Sequence, residues 1–254
     1  MIEDIKKVVV QAGEIALDYF SRIDEIKISQ KKNPKDLVTE ADVAVESYLF
    51  NQLKEIAPEY GFWGEEKGKA GAQPNRWVVD PIDGTHSFIR GQYFWGISLA
   101  LELSGDLALG VVYAPLLKDL FHAVKNKGAF KNDRRIKVSK ISQLKEAMVA
   151  TGFACLRDNQ LDNNLKRFSR IAPKSMDQRR FGSAALDLCM VADGQLDAFW
   201  EQNLNLYDIA AGCLIVKEAG GMVSDFDGVQ MIDPSRILVS NGQIHGEMLA
   251  LMRD

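Results

Sequence analysis

Residues 77–85 read Trp-Val-Val-Asp-Pro-Ile-Asp-Gly-Thr, and this stretch limits the fold more than any other. A short apolar strand delivers two carboxylates, Asp80 and Asp83, three residues apart. Pro81 stiffens the turn, and Gly84 permits a backbone conformation that other residues resist. Thr85 and the residues after it can open a short helix, whose first N–H groups have no carbonyl partner and so form an anion site. One loop then offers hard oxygen ligands for a cation beside donors for an anion. That combination suits a metal-bound phosphate. Taken alone, Asp83-Gly84 reads more simply as a turn with solvated acids.

The flanking sequence sets the architecture. Ile5, Val8, Val9, Ala12, Ile15, Ala16 and Tyr19 recur at spacings of three and four, the period of one helical face. Lys31-Lys32-Asn33-Pro34-Lys35 has no periodicity and reads as a loop. Ala41, Val45, Tyr48, Leu49 and Leu53 share a face of a second helix, with Thr39 as N-cap and Asp42 in capping-box position. Ile97–Leu103, Leu107–Ala114 and Leu120–Val124 read as strands of an antiparallel meander. Beyond about residue 145 strands and helices alternate: Met148–Thr151, Ala184–Val191, Asp208–Ala219, Met222–Ser224 and Ile237–Val239. The expected fold class is α/β, as an α+β subdomain over residues 1–144 and an α/β subdomain over 145–254, with the site between them.

Composition excludes several classes. Of 254 residues, 46% are hydrophobic and 26% charged, so the chain has ample material for a core and is not disordered. The net charge of −4 gives no electrostatic case for nucleic acid. No run of about eighteen apolar residues occurs, so no spanning helix is expected. The first residues develop no continuous apolar stretch, and no secretory signal is expected. Cys155, Cys189 and Cys213 lie in apolar contexts without CxxC spacing, which points to buried thiols in a reducing cytoplasm. His86, His122 and His245 are scattered and do not pair as zinc ligands.

Further acids are informative together rather than singly. Gly64-Glu65-Glu66 follows the apolar Phe62-Trp63. Asp208 opens Asp208-Ile209-Ala210-Ala211-Gly212, where an acid also complements a helix dipole. With Asp36-Leu37-Val38-Thr39-Glu40-Ala41-Asp42, the loop 80–85 and Glu218-Ala219-Gly220-Gly221, these segments stand in the order found in the inositol monophosphatase family. The chain resembles that family over nearly its whole length.

The resemblance implies a layered α-β-α-β-α sandwich and Mg²⁺-dependent, lithium-sensitive hydrolysis of a small phosphate monoester. It implies two or three Mg²⁺ ions. Glu65, Asp80 and the carbonyl of Ile82 would hold the first, Asp80, Asp83 and Asp208 the second, and Glu65 a weaker third. Oxygen-only donors are what Mg²⁺ prefers. Thr85 and Asp42 would activate water, with Glu65 also in the catalytic set. The N–H groups of Gly84 and Thr85 would grip phosphate. Gly182-Ser183-Ala184 and Glu201 would line the polyol pocket with Asp83 and Asp208, and Lys31 would sit near the weaker metal.

Tyr207 stands where the family most often has tryptophan, and Gln202-Asn203-Leu204-Asn205-Leu206 is unusual. Both leave the leaving group open. Inositol monophosphate leads. Fructose 1,6-bisphosphate, NADP(H), a nucleotide 3′-phosphate and histidinol phosphate are the alternatives. A bisphosphate would need a second positive cluster, for which Arg179-Arg180 and Lys166-Arg167 are sources. The resemblance also implies a homodimer, while cysteine usage, hydropathy and charge lead to the expectation of a cytoplasmic protein with no membrane and no direct nucleic-acid contact. A binding partner of the transcription machinery is the non-enzyme alternative.

Overall fold

A computed structural model describes residues 1–31, 34–71, 75–157 and 161–253. Lys32 and Asn33 of the expected loop fall outside these residues. The chain begins with helix α1 (Ile2–Ser21), a hairpin of β1 (Ile28–Gln30) and β2 (Leu37–Thr39), and helix α2 (Glu40–Ile56). Thr39 caps α2 and Asp42 completes the capping box. Then follow β3 (Gly61–Gly64), β4 (Gly68–Ala70), β5 (Arg76–Asp83), the short helix α3 (Thr85–Phe88), β6 (Gly96–Leu103), β7 (Asp106–Ala114), β8 (Asp119–Val124), β9 (Gly128–Lys131) and β10 (Arg134–Arg135). The remainder comprises β11 (Met148–Thr151), α4 (Leu165–Ile171), β12 (Asp177–Arg179), α5 (Ala184–Ala192), β13 (Ala198–Gln202), α6 (Leu206–Glu218), β14 (Met222–Ser224), β15 (Arg236–Ser240) and α7 (His245–Met252).

Eight strands form one sheet in the order β10-β9-β8-β7-β6-β5-β3-β4, and five form another in the order β12-β11-β13-β15-β14. The expected meander is β6 to β8, and the structure extends it on both sides, antiparallel from β5 to β10. Strand β3 joins β5 in parallel, which brings the end of the Phe62-Trp63 run alongside Asp80.

Side-chain alternation along each strand explains the layers. In β5, Trp77 and Val79 join a core with α1 and α2, while Val78 joins a core with α5 and α6. In β13, Phe199 faces the core with α5 and α6, and Ala198 and Trp200 face α4 and α7. Both faces of each sheet are covered, so these strands read as continuous apolar runs rather than alternating ones. The result is the α-β-α-β-α sandwich: α1 and α2, the eight-stranded sheet, α5 and α6, the five-stranded sheet, then α4 and α7.

Helix α6 lies close to β7 because Gly110 leaves room. A Cβ there would sit 2.9 Å from the Ala211 carbonyl oxygen. That approach carries the start of α6, and with it Asp208, to the end of β5. The three cysteines are free and buried. Among the described residues, no helix is long and apolar enough to cross a membrane.

Candidate active site

Strand β5 does not stop before Pro81, as the sequence suggests, but runs to Asp83 with a break in pairing between Asp80 and Asp83. Proline has no N–H to give the ladder, so the irregularity falls there. The shift leaves both aspartates at the same end of the strand. Gly84 then turns the chain with φ of 96° and a left-handed conformation. Its missing Cβ matters as well, since that atom would meet the Phe94 carbonyl oxygen at 3.1 Å. Helix α3 starts at Thr85, so the amides of Gly84, Thr85 and His86 lie in the turn where a helix offers no carbonyl partner.

Oxygen atoms of Asp80, Asp83 and Asp208 lie within 4.8 Å of one another. Each carboxylate is fixed by a specific donor. Ile82 N donates to Asp80 Oδ1 at 3.0 Å. Ser183 Oγ and Ala185 N donate to Asp83 Oδ2 at 2.7 and 2.6 Å. Asn205 N donates to Asp208 Oδ2 at 2.6 Å. Asp42 is held in the same way at the start of α2, where Oδ2 accepts from Thr39 N at 2.8 Å and from Thr39 Oγ1 at 2.6 Å. Helix capping and a functional carboxylate are therefore compatible at both helix starts, because the cap engages only one oxygen.

Glu65 closes the side toward β3. Lys31 Nζ donates to Glu65 Oε1 at 2.7 Å and to Glu66 Oε1 at 2.5 Å. The ammonium thus occupies the acidic turn itself. Glu46 is not among the acids singled out from the sequence, yet this residue sets the turn. Its buried carboxylate accepts from Glu66 N and Lys67 N, each at 2.8 Å. Its place on the inner face of α2, between Val45 and Leu49, was the available signal: a charge in an apolar stripe needs a partner.

A cavity of about 300 Å³ extends from the aspartates along Gly182, Ser183, Ala184, Asp187 and Glu201. It joins a smaller recess of about 50 Å³ bounded by Glu65, Asp80, Ile82, Asp83, Thr85 and Asp208. Glu201 is 6% exposed and accepts from Ala154 N at 2.9 Å. Thr85 Oγ1 donates to the Ile82 carbonyl oxygen at 3.1 Å. Tyr207 lines the cavity and meets Trp63 edge-on, with centroids 6.4 Å apart.

Of the basic residues named from sequence, Arg180 lines the cavity. Arg167 is instead buried, bonded to Asp162, Gln202 and the Met252 carbonyl, and Arg179 pairs with Asp177 at 2.6 Å. Arg157, not anticipated, also lines the cavity.

Burial and mutual repulsion push these acids upward. Burial raises Asp42 and Asp83 to about 6 and Glu66 and Glu201 to about 7. Burial, reinforced by neighbouring carboxylates, lifts Asp80 and Asp208 well above the usual range. A buried acid with a raised folded-state value holds a proton that the unfolded chain has already released. Stability of the metal-free protein therefore falls as pH rises from about 4 through these raised values. His86, His122 and His245 are lowered by burial and act in the opposite sense below about pH 6.5. The decline is therefore read best above that pH. Thermal melts without metal should show a falling Tm from about pH 6.5 to about pH 8.5, and Mg²⁺ should restore it most at the upper end. A metal-free Tm that holds level or climbs over this span would contradict the cluster's electrostatics.

The set fits Mg²⁺ on its own terms. The converging donors are all oxygen, they carry excess negative charge, and no histidine or thiol joins them.

Comparison with known proteins places the chain among relatives of one family. The sequence profile described as "Inositol monophosphatase family" matches residues 1–254. An inositol-1-monophosphatase of Mesorhizobium japonicum is 37% identical over 96% of this chain and 92% of its own length. A Nus factor SuhB of Pseudomonas aeruginosa is 38% identical over 95% of this chain and 92% of its own. Among solved structures, an extragenic suppressor protein suhB from Bartonella henselae superposes with a TM-score of 0.93 at 35% identity, covering 100% of this chain and 98% of that one.

Proposed function

Because the chain belongs to the inositol monophosphatase family and is a phosphoric monoester hydrolase, we propose that it cleaves a small phosphorylated polyol, inositol monophosphate foremost, with Mg²⁺ as its metal. The observation that carries this is the convergence of Asp80, Asp83 and Asp208 within 4.8 Å, beside the first turn of α3 and at the mouth of a polar cavity.

Asp80, Asp83 and Asp208 would hold Mg²⁺, with Glu65 and the Ile82 carbonyl completing the set. When bound, the metal supplies Lewis-acid charge to the phosphate oxygens and the water. The chain does the rest. Amides of Gly84 and Thr85 bind the phosphate oxygens without a charge that would need desolvation. Thr85 Oγ1 spends its proton on Ile82 O, so its lone pairs accept from the attacking water and orient it. Asp42, raised to about 6 by burial, is a stronger base than an exposed aspartate and takes the proton near neutrality. Gly182, Ser183, Ala184 and Glu201 receive the polyol. Ser183 has a second task, since its bond to Asp83 fixes a metal ligand.

The similarity to a Nus factor supports a further role as a partner in transcription. The complete carboxylate set supports catalysis alongside it.

Phosphate release should be measured with inositol 1-phosphate, fructose 1,6-bisphosphate, NADP, 3′-phosphoadenosine 5′-phosphate and histidinol phosphate. We expect inositol 1-phosphate to be turned over fastest, only with Mg²⁺, and with inhibition by Li⁺ beyond Na⁺ and K⁺ controls. Li⁺ is close to Mg²⁺ in size but carries half its charge. No release from any ester would refute the phosphatase reading. Li⁺ inhibition no stronger than Na⁺ would refute the assignment of a metal site to the three aspartates.

A further inference from the structure

Asp187 lies on α5, four residues after the cap Ser183, and is 2% exposed on the wall of the 300 Å³ cavity. Its carboxyl makes no side-chain hydrogen bond among the described residues, and Oδ1 is fully buried without a partner. The other buried acids are satisfied. Glu46 takes two amides, Asp42 takes Thr39, Asp83 takes Ser183 and Ala185, Asp197 takes Ser139 and Met148 N, and Asp225 takes the amides of Asp227 and Val229. A buried carboxyl oxygen left without a partner is unfavourable. Among the described residues no donor meets Oδ1, and Asp187 lines the open cavity.

We propose that Asp187 is a specificity-determining residue that, with Glu201, binds hydroxyl groups of the substrate's leaving group. Two adjacent buried acids resist holding two negative charges, so the pair keeps a proton. Burial, then Glu201 and Asp83, raise Asp187 well above the usual range. The pair consequently offers an O–H donor together with free acceptor oxygens. A hydroxyl both donates and accepts, so neighbouring hydroxyls of a polyol satisfy both acids at once. Arg157 and Arg180 line the same cavity and offset part of the acids' negative charge. An alkyl leaving group would leave the carboxyl unpartnered. An ammonium group is the competing occupant, since it would draw the proton off the pair.

This assignment rests on the phosphatase reading and deepens it. The test compares the wild type with Asp187→Leu and Asp187→Asn on inositol 1-phosphate, n-butyl phosphate and O-phosphoethanolamine. Asp187→Leu should lower the kcat/KM preference for inositol 1-phosphate over n-butyl phosphate by about tenfold to a hundredfold, chiefly through KM. Asp187→Asn keeps a donor and an acceptor and should recover most of that preference. Asp187→Leu should also raise Tm, because it removes an unpartnered buried acid. An equal loss on both esters would make Asp187 structural and overturn the assignment. So would an unchanged preference, or a preference for O-phosphoethanolamine that only the wild type shows. Wild type inert on all three esters would refute the phosphatase reading itself. Inositol binding by calorimetry would then decide Asp187, expected in wild type and lost in Asp187→Leu. Equal binding by both would overturn it.

Discussion

Asp80→Asn abolishes turnover and at the same time raises the melting temperature of the metal-free protein. Asp80 lies buried at the centre of the acidic cluster, in hydrogen-bond contact with Asp208 and under the repulsion of Glu65, Asp83, Asp208 and Asp42. Without a cation, Asp80 and Asp208 can touch only by sharing a proton. An asparagine supplies that N–H permanently and keeps an oxygen for Ile82 N, so the fold loses repulsion and no bond. The same change removes the anionic ligand common to both proposed Mg²⁺ positions. Turnover should drop by about a thousandfold or more at saturating Mg²⁺. Each kcal/mol of relieved repulsion should add about 2–4 °C to Tm at this chain length. Glu66→Gln is the control, because Glu66 pairs with Lys31 and has no proposed ligand role. Equal losses in the two variants would contradict the ligand assignment. An Asp80→Asn protein that melts lower without metal would contradict the electrostatic account.

Thr85→Ala lowers kcat by about a hundredfold to ten-thousandfold, the usual range for general-base assistance, and leaves KM and Mg²⁺ affinity nearly unchanged. The change removes the hydroxyl and the γ-methyl and no backbone donor. The phosphate-binding amides of Gly84 and Thr85 persist in alanine, and alanine suits the first position of a short helix. One neutral hydrogen bond to Ile82 O is lost, worth about 0.5–1.5 kcal/mol. That is too little to unfold a chain of this size. Steady-state kinetics on the best ester, with Mg²⁺ titrated by calorimetry, separates the effects. An unchanged kcat would reduce Thr85 to a turn residue. A parallel fall in Mg²⁺ affinity would show that the bond to Ile82 O holds a ligand in place rather than a water.

Much of the fold is legible locally. The faces of α1 and α2, the Thr39–Asp42 capping box and the meander strands follow from periodicity and turn residues. These signals are short-range, so neighbouring residues carry them. Strand β13 was not legible. Its Phe199 and Trp200 serve opposite cores, so no alternation of apolar and polar residues marks it. The extension of β5 past Pro81 was hidden for a related reason: proline reads as a stop, and only pairing with β6 carries the strand on to Asp83.

The amino-acid sequence by itself determined which donor atoms the site can offer. It placed hard oxygen donors at a strand end and at two helix starts, beside a glycine turn with free amides, and it supplied no competing histidine or thiol cluster. Tertiary structure decided which groups act together. Ser183 reaches Asp83 across 100 positions of chain, and Glu46 sets the Glu65–Glu66 turn from 20 positions away. Arg180 enters the cavity while Arg167 turns inward to Asp162 and Gln202. Asp187 is the clearest case. On sequence it is one acid in an apolar helix, and only the packing around it makes it an unpartnered carboxyl on the wall of the cavity that Glu201 also lines. The physical reason is range. Capping and strand propensity act over a few residues, whereas desolvation and charge coupling depend on which layers close around a group, and that is settled only when the whole sandwich has packed.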